Sequence, residues 1–198
     1  GRELSGFTRN WNVGLSMLHA VFVKHHNKIC DVLKAKYPDW STDQLFHTAR
    51  LINAAVMAKI HTVEWTPAVL PTKTLTTGMN TNWNGLIESM TKRFTERKAL
   101  RGAAFGDDPV LGGLMGAKRN NYGVPHNFSE QFAEVYRLHH GVPDDLSYQP
   151  IGSAKPEQEI PIDQLREKGG RAMIEQAGVP NLLNSFCNQK MHALVESN

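Results

Sequence analysis

Tyr136 and His139 stand three residues apart, preceded by Phe132 and Val135. On a helix that spacing projects both side chains from one face, and the two apolar residues one turn earlier would wall it. The chemistry such a face could support is redox. A haem iron could take the His139 imidazole while the Tyr136 phenol lies close enough to exchange an electron with the porphyrin. A blander reading stays open on spacing alone. A lone histidine on an apolar face is more often a hydrogen-bonded core residue, and Tyr-x-x-His by itself is a weak motif.

His61 and Thr66, with Trp65 between them, form a second candidate. An imidazole and a hydroxyl together make a small polar clamp able to hold a carboxylate. The ordinary alternative is a helix C-terminal histidine that meets the last carbonyls, and spacing alone favours it. His19, His25 and His26 fall in one stretch with Asn27, and His19 and His26, one heptad apart, roughly share a face. That group reads as a structural polar network rather than a metal site. The chain has nine histidines, yet it lacks HExxH, a His pair at i and i+4 with a third ligand, a Gly-rich phosphate loop and a Gly-x-Ser-x-Gly elbow. Mononuclear zinc, dinucleotide and serine-hydrolase chemistry are therefore not written in it.

Helices must position these residues. Apolar positions recur at helical spacing over residues 14–36, through Leu15, Leu18, Val21, Phe22, Ile29, Val32 and Leu33, and the pattern stops before Pro38. Ser41 with Gln44 spells a capping box for a helix over 42–65, whose face carries Leu45, Ala49, Ile52, Val56 and Ile60 and whose end Pro67 and Pro71 bracket. From 72 to 122 the signal degrades. Residues 72–85 are rich in Thr, Asn and Gly, a short helix is expected over 86–98, and 102–116 reads as a loop. A helix capped by Ser129 carries Phe132, Val135, Tyr136 and His139 and ends at Gly141. Residues 148–162 read as a Pro-bearing connection. Two short helices are expected over 162–165 and 171–176, and a last one begins near Pro180. No run of alternating strand residues stands out, so the expected fold is mainly α.

Composition narrows the function classes. With 40% hydrophobic and 21% charged residues and a net charge of +3, the chain is neither disordered nor a nucleic-acid arm. Its densest basic cluster, from Lys92 to Arg101, is interrupted by Glu96 and reads as a solvated helix face. Cys30 and Cys187 have no zinc or CxxC spacing, which suits a reducing, intracellular compartment with both thiols buried as small apolar groups. No stretch of about 18 apolar residues is present to span a membrane. The chain begins at Gly1 and stops inside a helical pattern at Asn198, so truncation at both ends is expected.

The order of several pieces is more specific than any one of them. Gly14-Leu15, His19, Phe22, His26-Asn27, Cys30-Asp31, Pro38-Asp39-Trp40, Gln44-Leu45 and the run from Thr48 to Ile52 resemble the peroxidase–cyclooxygenase superfamily of animal-type haem peroxidases. Within it, the run from Ala58 to Thr66 is similar to the fatty-acid α-dioxygenases. So are Gly78-Met79, Asn82-Trp83, Gly85-Leu86, the run from Tyr136 to His139, and Val142-Pro143-Asp144. The resemblance covers nearly the whole chain and implies an incomplete animal haem peroxidase-like helical fold, residues 1–198 being part of one catalytic domain.

For the site, the resemblance implies that His139 is the proximal ligand of a haem b iron and Tyr136 the tyrosine oxidised to a radical. That radical would take a hydrogen atom from a fatty acid, and O2 would add at the α-carbon to give a 2-hydroperoxy fatty acid. His61 and Thr66 match positions that bind the substrate carboxylate, which reverses the preference from spacing. Arg9 loosely matches an arginine near the haem. The sequence departs from the family at His25, where a Glu is usual, at His140, where Pro is common, and over about 91–109, which resembles an insertion. The family's distal histidine and calcium loop lie upstream of the residues present here, so this fragment alone is expected to be inactive. Two alternatives stand beside the dioxygenase: a peroxidase or a dioxygenase acting at another carbon, and a non-catalytic helical scaffold without haem. A lipid substrate also makes peripheral membrane contact an expectation.

Overall fold

The computed structural model describes residues 12–86, 108–117, 123, 127, 129–136 and 141–190. The chain divides into two compact units, one formed by residues 1–35 with 128–198 and the other by 36–127.

In the first unit, α1 (Val13–Lys36) opens the described chain. Asn12 starts it, its side-chain oxygen accepting from the Gly14 N–H at 3.0 Å. The core is built where α1 meets a two-stranded antiparallel hairpin and two later helices. Val13 and Met17 of α1 pack with Leu146 of β1 (Asp145–Tyr148) and Ile160 of β2 (Gln158–Pro161). Ile162 and Leu165 of a 3₁₀ turn (Ile162–Leu165) join them, as do Met173 of one late helix and Leu182 of the last. The hairpin corrects the sequence expectation of a plain connection over 148–162. Strands of four residues are too short for alternation to register, and Pro150, Pro156 and Pro161 disguise them.

The late helices follow the expected order. Four helices precede them in chain order: α3 (Thr66–Val69), α4 (Lys73–Asn84), α5 (Pro109–Gly112) and α6 (Glu130–Val135). The two late ones are α7 (Glu167–Ala177) and α8 (Val179–Asn188). Gly14 lets α1 approach α8 closely, since a Cβ there would lie 3.1 Å from the Phe186 ring. Polar side chains of α8 and its C-cap grip the hairpin. Ser185, 1% exposed, accepts from the Gln149 N–H at 2.9 Å, and Asn184 donates to the Gln149 carbonyl at 2.8 Å. Gln189 accepts from the Ser147 N–H at 3.1 Å and donates to the Asp145 carbonyl at 2.6 Å.

In the second unit, α2 (Thr42–Ile60) starts with the capping box read from the sequence. The Ser41 hydroxyl accepts from the Gln44 N–H at 3.3 Å, and the Gln44 side chain accepts from the Ser41 N–H at 2.9 Å. The helix does not run unbroken to Trp65: a π-helical turn (His61–Trp65) leads into α3. The Thr-rich segment that looked irregular is α4, capped by Thr72, whose hydroxyl accepts from the Leu75 N–H at 3.2 Å. α4 packs on the π turn and on a 3₁₀ turn (Gly113–Gly116) that follows α5. Gly85 and Gly113 make the second contact feasible. Both have positive φ, and a Cβ on Gly113 would lie 2.4 Å from the Gly85 nitrogen. The expected loop over 102–116 thus holds two short helical turns where it is described. The helix expected over 86–98 lies outside the described residues, as does most of the apparent insertion.

Neither thiol is deeply buried, contrary to expectation: Cys30 is half-buried and Cys187 exposed, and neither is in a disulfide. Cys187 falls off the α8 stripe that buries Leu182 and Ser185. Among the described residues no helix is long and apolar enough to cross a membrane.

Candidate functional site

The clamp residues lie in the second unit, where Pro67 dictates the backbone. Proline has no N–H to donate, and in a regular α-helix its ring presses on the carbonyl four residues back, here that of Val63. The ladder widens before it. The Thr66 N–H reaches the His61 carbonyl, five residues earlier, and α-helical bonding resumes with the Leu70 N–H on the Thr66 carbonyl at 3.1 Å. Two threonine hydroxyls occupy carbonyls around the transition: Thr62 donates to Ala58 at 2.8 Å and Thr66 to His61 at 2.7 Å. The His61 ring stands edge-on to Trp65, with centroids 6.4 Å apart and planes at 88°. His61 is exposed, while Trp65 and Thr66 are half-buried. The site thus joins an exposed imidazole with an edge-on indole, and the Thr66 hydroxyl caps the His61 backbone carbonyl.

Trp65, named in the sequence reading only as a neighbour, packs edge-on against His61, and its signal was its i, i+4 spacing. The π turn was missed. Its signal was the five-residue interval between His61 and Thr66, which a regular helix does not align.

Tyr136 belongs to the first unit. Ser129 caps α6, its hydroxyl accepting from the Phe132 N–H at 3.2 Å. The expected helix is shorter than its sequence pattern: at Tyr136, with φ −86° and ψ 36°, the backbone has left helical geometry, although its N–H still bonds the Phe132 carbonyl at 2.9 Å. A six-residue helix gains little from propensity alone. The Phe132 and Tyr136 rings stack, with centroids 5.0 Å apart and planes within 12°. Tyr136 is 44% exposed. His139, His140 and Arg9 lie outside the described residues.

On α1, the His26 ring is 3.3 Å from the Asn27 side-chain oxygen and 3.9 Å from the Cys30 sulfur. This is the local polar contact expected of that stretch. Among the described residues no three His, Cys, Asp or Glu side chains converge as a metal site.

A mainly helical chain with a π turn at His61–Trp65 and a stacked tyrosine at position 136 has counterparts. Residues 3–198 match the model of the animal haem peroxidase family, and the chain belongs to that family. It is 40% identical over 202 residues to α-dioxygenase 2 of Arabidopsis thaliana, an alignment covering 98% of this chain and 31% of that protein. Among solved structures, it resembles a fatty acid α-dioxygenase of Arabidopsis thaliana with TM-score 0.82 and 36% identity, over 96% of this chain and 30% of the other. A tyrosine-to-phenylalanine variant of Oryza sativa fatty acid α-dioxygenase with palmitic acid gives TM-score 0.78 and 35% identity, over 96% and 31%. The chain thus spans about a third of the length of the relatives it matches.

Proposed function

We propose that this chain is part of the catalytic domain of a haem-dependent fatty-acid α-dioxygenase, with Tyr136, His139, His61 and Thr66 as its site residues. What carries the reading is the likeness to fatty-acid α-dioxygenases over almost every residue of the chain, in fold as in sequence. The residues suit a haem: the His139 imidazole would be an ordinary iron ligand, and the exposed Phe132–Tyr136 stack lies three residues before it in sequence. Haem b is the proposed form, and calcium belongs to the upstream part of the family's domain. When bound, haem supplies the one-electron oxidation of the Tyr136 phenol.

The remaining steps fall to the chain and the substrates. His61 and Thr66 hold the fatty-acid carboxylate, which fixes the α-carbon as the nearest abstractable position. The Tyr136 phenoxyl takes one hydrogen atom from that carbon and becomes the phenol again. O2 adds to the carbon radical, and the resulting peroxyl takes a hydrogen atom from Tyr136, giving the 2-hydroperoxy acid and restoring the radical. Hydrogen and electron counts balance over the cycle. An intracellular location, with peripheral contact to the membranes that supply the lipid, is part of the same proposal.

The test uses the full-length protein with haem, palmitate and O2. Oxygen uptake with 2-hydroperoxypalmitate is expected, and Tyr136→Phe is expected to lower the rate by about 100-fold or more, as loss of an obligatory reacting group does. Peroxide-dependent oxidation without oxygen uptake would instead identify a plain peroxidase.

A further inference from the structure

An α-helix turns about 100° per residue, so positions three and four apart flank one another while positions five apart diverge by roughly 140°. Wound that way, the neighbours of His61 would be Glu64 and Trp65, and Thr66 would face elsewhere. An i→i+5 ladder packs roughly 4.4 residues into a turn, which brings positions four and five apart within about 50° of the first and moves position three about 110° away. The π turn His61–Trp65 therefore exchanges the neighbours of His61. Trp65 stays beside it, in the edge-on contact already described. Thr66 arrives beneath it, its N–H and its hydroxyl both on the His61 carbonyl. By the same geometry Glu64, three residues on, turns about 110° away from His61.

We propose that the π turn sets the sign of the His61 face: it brings a hydroxyl onto that face and removes a carboxylate from it, so that the face accepts an anion. The proposal rests on the reading of His61 and Thr66 as ligands of a fatty-acid carboxylate, and adds the winding that makes them so. In an α-wound segment the exposed Glu64 would lie against the imidazole, pairing with it and repelling a second carboxylate. With π winding Trp65 stays edge-on to the imidazole, and the Thr66 hydroxyl sits on the His61 backbone carbonyl. Thr66 has a single hydroxyl hydrogen, donated here to the His61 carbonyl. Donating it to a carboxylate exchanges that partner, and the carbonyl retains the Thr66 N–H, so no buried acceptor is left bare. Trp65 is a positioning residue in this scheme, and Pro67 is the element that holds the winding open.

The experiment measures equilibrium binding of palmitate and methyl palmitate to the full-length, haem-loaded enzyme without O2, so that binding is read apart from turnover. Glu64→Gln changes an exposed side chain and threatens no fold. It is expected to leave palmitate binding within about twofold of the parent, whereas Thr66→Val, close in shape, is expected to weaken it about tenfold and to leave the methyl ester unaffected. Tighter palmitate binding in Glu64→Gln, by about fivefold or more, would place the acid on the His61 face and overturn the proposal. So would a silent Thr66→Val beside a His61→Ala that loses palmitate, and in that case the carboxylate reading of His61 survives. If His61→Ala keeps the full preference for palmitate over its ester, the carboxylate reading itself fails.

Discussion

At the scale of single residues the proposal turns on nitrogen and oxygen atoms with one task each. His139 is assigned the iron, and an axial imidazole sets the position and intensity of the haem absorption. His139→Ala in the full-length, haem-reconstituted protein is expected to shift the Soret band or abolish it. An unchanged spectrum would move the ligand elsewhere, with the adjacent His140 the first candidate. How far these residues were legible in the sequence differs from one to the next. Tyr136 and His139 shared a face by arithmetic, yet Tyr-x-x-His could not be told from a packed core pair until the resemblance supplied context. His61 and Thr66 were legible as chemistry and illegible as geometry. The face proposed for them depends on a π turn that ends two residues before Pro67, and periodic patterns assume a regular helix.

At the scale of elements, long periodic helices with good caps were the readable part. α1 and α2 were both foreseen, and the Ser41–Gln44 box holds atom for atom. α4 was not foreseen, because Thr, Asn and Gly disfavour helix intrinsically. Its stability comes from the Thr72 cap and from packing on the π turn and the Gly113–Gly116 turn, and tertiary contacts of that kind leave no periodic trace. The hairpin was hidden for a related reason: its second partner is a set of side chains on α8. Ser185 is the buried centre of that arrangement. Ser185→Ala strips the Gln149 N–H of its acceptor and is expected to destabilise the chain by about 1–3 kcal/mol, read as a lower denaturation midpoint with an unchanged slope. A change below about 0.3 kcal/mol would mean that the hairpin does not depend on this bond.

At the scale of the whole molecule the notable quantity is apolar surface. Leu15, Leu18, Val23 and Val32 of α1 and Phe46, Leu51, Ile52 and Met57 of α2 all stay exposed, from 39% to 64%. The sequence reading placed Leu15, Leu18, Val32 and Ile52 on inward stripes together with Leu33 and Ala49; only the last two of these six are buried, and Val13 and Met17 of α1 and Asn53 of α2, outside those stripes, are the other buried positions. Helices with such faces are ordinary only where more protein covers them, and this chain spans about a third of its relatives' length. The 198-residue chain by itself is expected to bind a hydrophobic reporter dye and raise its fluorescence several-fold over the full-length protein at equal concentration. Equal fluorescence would show that these faces are satisfied without further chain.

The grip of α8 on the hairpin bears on the same question. The Asp144 and Tyr148 carbonyls pair toward β2, accepting from Ile162 and Glu157, so the Asp145 carbonyl, the Ser147 N–H and both backbone groups of Gln149 point the other way. Those outward groups are the ones that Gln189, Ser185 and Asn184 occupy. The Gln189 amide, donating to one residue and accepting from the next but one, imitates the peptide group of a neighbouring strand. The hairpin is in effect three-stranded, its last strand written in side chains. A sheet finished in this way offers no template on that side for another copy to extend, so self-association of the chain would proceed through its helical faces rather than by strand addition there.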